Sequence, residues 1–213
     1  MTLQLDGRSL ALADLAPLFA GRDEAVAVAP EAMAAVARAR DQVEAHLAAG
    51  DVVYGLTTGF GKLKSVAIGP ADLAALQRNL ILSHCCGVGE PMPEAEVRAA
   101  QVLRLNGLVR GHSGVRVETC ERLVELFNRR FVPVVPQQGS VGASGDLAPL
   151  AHMAAAYLGV GEAFLAGERM DAGAALARLG LGPLELGAKE GLALINGTEI
   201  MKAVGAGVRR LAG

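Results

Sequence analysis

The chain has 213 residues, of which 52% are hydrophobic and 27 are glycine, and its 20 basic and 22 acidic residues give a formal net charge of −2. A nucleic-acid-binding protein needs a basic surface, which this balance does not supply, so we expect no nucleic-acid partner. No apolar run reaches the roughly 18 residues of a membrane span, and the first residues lack the pattern of a signal peptide. The sequence therefore predicts a cytoplasmic protein with no membrane partner.

The first half of the chain alternates turns with segments whose composition predicts short strands or helices. Two strands are predicted over 2–5 and 25–28, and we expect them to form an edge hairpin. Three helices are predicted after them, over 30–50, 72–85 and 93–110. Pro30 suits the first turn of a helix and Gly50 suits its C-terminal cap. A first glycine loop, residues 55–61, follows the first of these helices.

The second half contains the clearest helical period of the sequence. Apolar residues at steps of three and four predict one buried stripe: Val117, Cys120, Val124, Phe127 and Phe131. Pro133 and Pro136 then require an extended backbone, which leads into a second glycine loop at 139–145. Beyond that loop we predict a helix over 146–158, a hairpin across Ala166-Gly167, a helix over 171–179 and a final stretch from residue 189. The class is mainly α, with minor β near the N-terminus and around residues 162–170.

The two glycine loops do not match the common phosphate-binding or nucleophile motifs. A P-loop ending at Gly61-Lys62 would need glycine where Leu56 stands and Ser or Thr where Leu63 stands. The second loop spaces its glycines three apart, unlike a dinucleotide-binding loop, and a nucleophile elbow would need glycine in place of Asp146. Cys85 and Cys86 are adjacent, which fits no metal-ligand spacing, so no metal site is expected.

Ala143-Ser144-Gly145 has a composition that permits an unusual reaction of the backbone. The small flanking residues let the nitrogen of Gly145 reach the carbonyl carbon of Ala143, because glycine lacks a Cβ that would obstruct the approach. Loss of one water closes a five-membered ring, and loss of the Ser144 hydroxyl as a second water leaves an exocyclic methylidene. Taken by itself, the tripeptide favours a simpler role in which Ser144 or Asp146 caps the following helix.

Four segments together resemble a known family. They are YGLTTGFG from Tyr54, QRNL from Gln77 with Ser83-His84, GASGDLAPL from Gly142, and KEGLALINGT from Lys189. In this order they resemble the ammonia-lyases that use a methylidene-imidazolone (MIO) prosthetic group, and most of all the branch acting on histidine. The resemblance implies a helical, aspartase/fumarase-like ammonia-lyase fold. It divides the chain into an N-terminal helical region with small β elements (1–110) and the MIO-containing start of a central helical domain (111–213).

The resemblance also implies roles for individual residues. Ala143, Ser144 and Gly145 would form the MIO ring. Tyr54 would be the base or proton carrier, and His84 would bind the substrate side chain. Asn196 and the backbone N–H of Gly142 would stabilise negative charge on the ring oxygen, as in an oxyanion site. Without the resemblance, Tyr54 and His84 would be expected to be packed side chains, and Asn196 part of an Asn-Gly turn.

The implied reaction is the elimination of ammonia from L-histidine to give trans-urocanate, the first step of histidine degradation. The alternatives are a tyrosine or phenylalanine ammonia-lyase, an aminomutase with the same MIO group, or an inert helical fragment. Chains of this family are more than twice as long and form homotetramers whose active sites combine three subunits. We therefore expect this chain to correspond to the N-terminal portion of such a protein, to need no external cofactor, and to lack full activity alone.

Overall fold

The computed structural model describes residues 2–59, 69, 72–141 and 145–211 of the chain. These residues are mainly helical, which confirms the predicted class. A 3-10 turn at Leu12–Leu15 is followed by the helices α1 (Ala16–Phe19), α2 (Pro30–Ala49), α3 (Leu73–His84), α4 (Glu94–Leu108), α5 (Val117–Asn128), α6 (Leu147–Tyr157), α7 (Ala172–Arg178), α8 (Glu190–Ile195) and α9 (Glu199–Leu211). Gly50 has φ of +70° at the end of α2, as a left-handed helix cap requires.

The strands are short and form three small sheets. They are β1 (Thr2–Leu5), β2 (Ala25–Val28), β3 (Val88–Pro91), β4 (Phe131–Pro133), β5 (Pro136–Gln138), β6 (Glu162–Leu165) and β7 (Glu168–Asp171). β1 pairs with β2, β3 with β5, and β4, β6 and β7 form the third sheet in that order. The hairpin of β6 and β7 confirms the prediction, and its turn residues Ala166 and Gly167 have φ of +52° and +86°, the left-handed values that a tight hairpin turn favours.

The predicted edge hairpin near the N-terminus is wrong. β1 and β2 pair in parallel, with Thr2 opposite Ala25 and Leu5 opposite Val28. The chain between them passes through the 3-10 turn and α1, so it returns to the end from which it started and enters β2 in the same direction as β1. A parallel pair needs such a crossover, whereas a hairpin needs only a tight turn.

α6, the helix after the second glycine loop, lies at the centre of the core. Nine of its residues are buried: Ala148, Pro149, Leu150, Ala151, Met153, Ala154, Ala155, Ala156 and Tyr157. A helix that is apolar around its whole circumference is expected in an interior, and α6 contacts α3, α8, α9 and β4. This helix is thereby held by neighbours on several sides. None of the helices in the described part of the chain has the length and apolar character needed to cross a membrane.

α4 carries a stripe of polar residues into the interior. Arg98, Gln101 and Arg104 are spaced three apart and all are buried. Arg98 lies 4.2 Å from the centre of the Phe127 ring, as in a cation–π contact. Gln101 donates from Nε2 to the hydroxyl of Tyr157 at 3.2 Å. The third member of the stripe, Arg104, reaches the turn between α8 and α9 described below.

Candidate active site

The N-terminus of α6 meets the turn between α8 and α9, and this contact brings together two of the predicted site residues. Gly145 lies just before α6, and Asn196 is the C-cap of α8. A Cβ built on Gly145 would lie 3.0 Å from the carbonyl oxygen of Gly197 and 3.5 Å from Oδ1 of Asn196. Gly145 also has φ of +150°, a value that residues with a Cβ rarely adopt. Glycine is therefore the residue that fits position 145 without strain.

Asp146 holds this contact from the other side. Its backbone N–H donates to the carbonyl oxygen of Gly197 at 2.7 Å. Its carboxylate is buried and accepts from the Ser140 hydroxyl at 2.8 Å and from the N–H of Met201, in the first turn of α9, at 2.9 Å. Asp146 makes no side-chain cap on its own helix, α6. Its carboxylate instead caps a helix distant in sequence.

The hydrogen bond from Ser140 to Asp146 ties together the two ends of residues 141–145. This stretch contains the predicted oxyanion residue Gly142 and the predicted ring residues Ala143 and Ser144, which lie outside the described residues. Gly145 is therefore the one member of the predicted tripeptide whose surroundings are described. The chain on both sides of the tripeptide is held by hydrogen bonds to the buried Asp146.

A buried ion pair lies beneath the turn at Asn196-Gly197. Arg104 donates from Nη1 to the carbonyl oxygen of Asn196 at 3.0 Å and to Oε2 of Glu199 at 3.2 Å. The side chains of Arg104 and Glu199 are 8% and 9% exposed. Burial lowers the pKa of the Arg104 guanidinium, and the negative charge of Glu199 opposes this shift. A Cβ on Gly197 would overlap both charged groups, so this position also requires glycine.

Glu190 anchors the opposite end of α8. Its side chain is fully buried and accepts hydrogen bonds from the guanidinium and backbone N–H of Arg116, the hydroxyl of Thr119 and the N–H of Gly187. Burial by itself raises the pKa of Glu190, but these donors outweigh burial and hold the pKa below its usual range. Because Arg116 and Thr119 lie at the start of α5, the carboxylate joins the beginnings of two helices.

His84 is the last residue of α3 and is half-buried. Its Nδ1 lies 2.8 Å from the carbonyl oxygen of Leu80. Since a carbonyl oxygen only accepts, Nδ1 is the donor in this contact, and Nε2 is left to face an external partner. The side chain is therefore oriented by its own helix, as a residue that orients a polar ligand would need to be.

The turn after His84 packs against the start of the second glycine loop. The backbone N–H of Gly87 donates to Nε2 of His152, on α6, at 3.0 Å. A Cβ on Gly139 would lie 3.2 Å from Cα of Gly87. The end of α3 therefore approaches the beginning of the loop that leads to Gly145. His152 therefore has a structural contact with the turn after α3, and its burial lowers its pKa.

Tyr54 lies in the turn that begins the first glycine loop, and it is 58% exposed. Thr57 fixes the base of this turn, since its hydroxyl donates to the carbonyl of Asp51 at 2.6 Å and accepts from the N–H of Val53 at 2.9 Å. Asp51 and Thr57 also line a cavity of about 490 Å³, and the segment before α8 contributes to the same lining. Phe60 and Gly61, at the end of the predicted loop, lie outside the described residues.

Sequence reasoning missed three residues that shape this site. Arg104 and Glu190 are charged residues in helices, which the sequence alone presents as solvent-exposed positions. For Asp146, only a local effect at the start of α6 was expected. The spacing of Arg98, Gln101 and Arg104 places them on one face of α4, but only the structure shows that this face is buried. In the described residues, no group of three or more His, Cys, Asp or Glu could hold a metal ion.

The groups around Gly145 can stabilise negative charge on a carbonyl oxygen. The side chain of Asn196 is exposed next to Gly145, and a carboxamide can donate hydrogen bonds. The N-terminus of α6 points towards the same place, and helix N-termini favour negative charge. These two features would stabilise an oxygen on which negative charge develops.

Comparison with known proteins identifies the group to which the chain is similar. A model of the aromatic amino acid lyase family matches residues 10–210. The chain is 55% identical to the histidine ammonia-lyase of Roseobacter denitrificans over 203 residues, which are 95% of this chain and 39% of that protein. It thus spans about 39% of the length of the curated relatives it matches.

Solved structures agree with this result. The crystal structure of histidine ammonia-lyase from Trypanosoma cruzi matches with a TM-score of 0.89 and 40% identity over 97% of this chain and 39% of that one. The tyrosine aminomutase from Streptomyces globisporus matches with a TM-score of 0.89 and 36% identity over 97% of this chain and 38% of that one. The predicted ammonia-lyase fold is therefore confirmed, and the chain belongs to the aromatic amino acid lyase family.

Proposed function

We propose that this chain forms the prosthetic-group part of an ammonia-lyase that eliminates ammonia from L-histidine to give trans-urocanate. The observation that carries the proposal is the approach of Gly145 to Asn196 and Gly197 at the start of α6. The relatives named histidine ammonia-lyase support the choice of substrate. A homotetramer is part of the same proposal, and full activity would require the protein length that this chain does not span.

The surroundings of Gly145 fit an MIO group made from Ala143, Ser144 and Gly145. Ring closure joins the nitrogen of Gly145 to the carbonyl carbon of Ala143 and releases that carbonyl oxygen as water, and the Ser144 hydroxyl leaves as a second water. The absence of a Cβ at Gly145 leaves its nitrogen approachable, and the hydrogen bonds of Asp146 hold the C-terminal side of the tripeptide. When formed, the group supplies an electrophile that activates the substrate for loss of its amine.

The remaining roles belong to side chains of this chain. Asn196, together with the N–H of Gly142, would donate hydrogen bonds to the ring carbonyl oxygen and so stabilise negative charge there. His84 would bind the imidazole of the substrate through Nε2, which its bond to Leu80 leaves available. Tyr54 would carry the proton removed from the substrate carbon, and its exposed position in a turn suits a residue that moves on substrate binding.

An elimination from tyrosine, or an amine shift within it, is the second candidate. The match to a tyrosine aminomutase supports this alternative, because Nε2 of His84 can also accept a hydrogen bond from a phenol. The two substrates differ in the product they give. Formation of urocanate from histidine, measured against coumarate or β-tyrosine from tyrosine, separates them.

The first experiment is an intact-mass measurement of the purified chain. Ring formation lowers the mass by two waters, and the chain has no Trp and only two Tyr, so a new near-ultraviolet absorption would also be visible. Ser144→Ala should show neither change. The measurement should be repeated with the chain joined to the rest of a full-length relative, where histidine turnover can be assayed. An unmodified mass in both forms would rule out the MIO proposal and leave the inert helical fragment as the better description.

A further inference from the structure

The stability of the fold does not by itself explain the buried ion pair between Arg104 and Glu199. Both side chains are more than nine-tenths buried, and Nε of Arg104 has no hydrogen-bond partner within the described structure. Removing two charges from water costs several kcal/mol each, and buried ion pairs can often be replaced by apolar residues without loss of stability. The pair therefore calls for an explanation other than the stability of the α4–α9 contact.

The contacts of Arg104 lead directly to the site. Its Nη1 donates to both Glu199 and the carbonyl oxygen of Asn196. The next residue, Gly197, has its Cα against the same two charged groups. The carbonyl oxygen of Gly197 in turn accepts the N–H of Asp146 at 2.7 Å. One series of contacts thus runs from the interior of α4, through the Asn196-Gly197 turn, to the residue that follows Gly145.

We propose that Arg104, held in place by Glu199, is a positioning residue that sets the location of Asn196 relative to Gly145. This inference rests on the proposed function, in which Asn196 donates to the oxygen of the ring formed at Gly145. Glu199 holds the Arg104 guanidinium in place through their ion pair, and the guanidinium in turn holds the Asn196 carbonyl by a hydrogen bond. The side chain of Asn196 extends from the same residue, so this bond fixes the backbone position from which the side chain starts.

A purely structural role makes a different prediction. If the pair only joins α4 to α9, two apolar side chains of similar length should serve equally well. Arg104→Met alone would leave the Glu199 carboxylate buried without its cation and should destabilise the fold. The double variant Arg104→Met/Glu199→Met removes both charges, so the free energy of unfolding should recover. The positioning role, in contrast, requires the bond to the Asn196 carbonyl, which the double variant still lacks.

The test therefore compares the wild-type chain with the single and double variants in three measurements. Urea denaturation gives the stability of each protein. Amide hydrogen exchange of Asp146, resolved by NMR, reports whether the Gly197 carbonyl remains in place. The intact mass reports ring formation, and the chain joined to the rest of a full-length relative gives kcat and KM. Arg98→Met is the matched control, since Arg98 is a buried arginine of the same helix whose contacts are with Phe127 and the Glu24 carbonyl.

We expect the double variant to recover at least most of the wild-type stability, yet to exchange the Asp146 amide roughly tenfold faster than wild type, a change equivalent to about 1.4 kcal/mol. Ring formation should be slower and kcat should fall more than KM changes, because Asn196 acts on the developing charge. Arg98→Met should lower stability while the Asp146 amide keeps its protection relative to the amides of α5. Arg104→Lys, which retains a charged donor, should lie between wild type and the double variant.

Wild-type exchange at Asp146 in the double variant would overturn the proposal, whatever the activity. Recovery of kcat together with stability would do the same. If the wild-type chain itself shows no loss of two waters and no turnover in the longer protein, the proposed function fails. The exchange measurement still decides whether Arg104 positions the turn, so the two failures remain distinct.

Discussion

Replacement of Glu190 by glutamine tests how α8 is held, because the change preserves shape and removes one buried charge. Oε1 accepts from the N–H of Arg116 at 2.8 Å and from the Thr119 hydroxyl at 2.6 Å. Oε2 accepts from Nε and Nη2 of Arg116 at 3.1 and 2.8 Å and from the N–H of Gly187 at 2.6 Å. Glutamine has a single acceptor oxygen, so its NH2 group must face two or three of these donors.

The less costly orientation places the NH2 group at the Oε1 position. Thr119 can rotate its hydroxyl to accept there, but the N–H of Arg116 loses its acceptor, and a buried unsatisfied donor costs about 1–3 kcal/mol. The bonds at the other oxygen lose their charge assistance, which roughly halves each of them. Arg116 is 35% exposed and regains part of this loss from water. We expect a total of about 3 kcal/mol, the low end of the range for breaking a buried pair.

Urea denaturation at pH 7, followed by the helical circular dichroism signal, measures this loss. Glu168→Gln is the matched control, because Glu168 pairs with Arg178 at 2.6 Å with both side chains more than half exposed, and such pairs contribute at most about 1 kcal/mol. A loss for Glu190→Gln that does not exceed that of the control would refute the reasoning.

The same variant has a predictable pH dependence. The folded-state pKa of Glu190 is lowered, so its carboxylate contributes stability that is fully present above the unfolded-state pKa of about 4.3 and is lost as the pH falls through the folded-state value. Glutamine does not titrate. The difference in unfolding free energy between wild type and Glu190→Gln should therefore shrink below pH 4, and a difference that stays constant or grows would contradict the assignment.

Three further changes act at the site itself. Gly197→Ala should lower the free energy of unfolding by about 2 kcal/mol or more, because its Cβ would overlap the Arg104 and Glu199 side chains and overpacking typically costs 1–3 kcal/mol. Urea denaturation would measure this loss. An unchanged free energy of unfolding would show that the ion pair can move aside. Asp146→Asn should lower the free energy of unfolding by about 1–3 kcal/mol and slow ring formation, which is seen as the loss of two waters in the intact mass. A wild-type rate of ring formation would show that residues 141–145 do not depend on this anchor. His84→Leu, assayed in the longer protein, should raise KM for histidine while ring formation stays at the wild-type level; an unchanged KM would remove His84 from the substrate site.

Local signals in the sequence predicted most of the secondary structure. Proline at helix starts and glycine at helix ends are properties of single positions, so helices such as α2 could be placed within two residues. The pairing of β1 with β2 failed, because two strands of four residues carry no signal for direction. Only the path of the chain through the 3-10 turn and α1, which bury Leu15 and Leu18 in the core, determines that they are parallel.

The site was predictable only in part, for a related reason. Gly145 and Asn196 were identified through motifs, and the structure places them next to each other. The roles of His84, Tyr54, Asn196 and the tripeptide stay predictions, as does the division of the chain at residue 110. Arg104 could not be predicted to reach the Asn196 turn, since its partners lie 92 and 95 residues away. A charged residue in a helix indicates exposure unless the opposing surface is known.

The burial of Asp146 follows from the convergence of two helix N-termini. Asp146 is 3% exposed, and burial of a polar group costs free energy unless hydrogen bonds replace those made to water. Here the compensation comes from the Ser140 hydroxyl and the Met201 N–H, and from the positive ends of α6 and α9, each equivalent to about half an elementary charge. In the part of the chain that the structure describes, the hydrogen bonds to this carboxylate thus come from a hydroxyl and from a helix N-terminus. The Met201 N–H and the helix dipoles belong to the backbone, so these parts of the anchor beside Gly145 move only with the two helices that provide them.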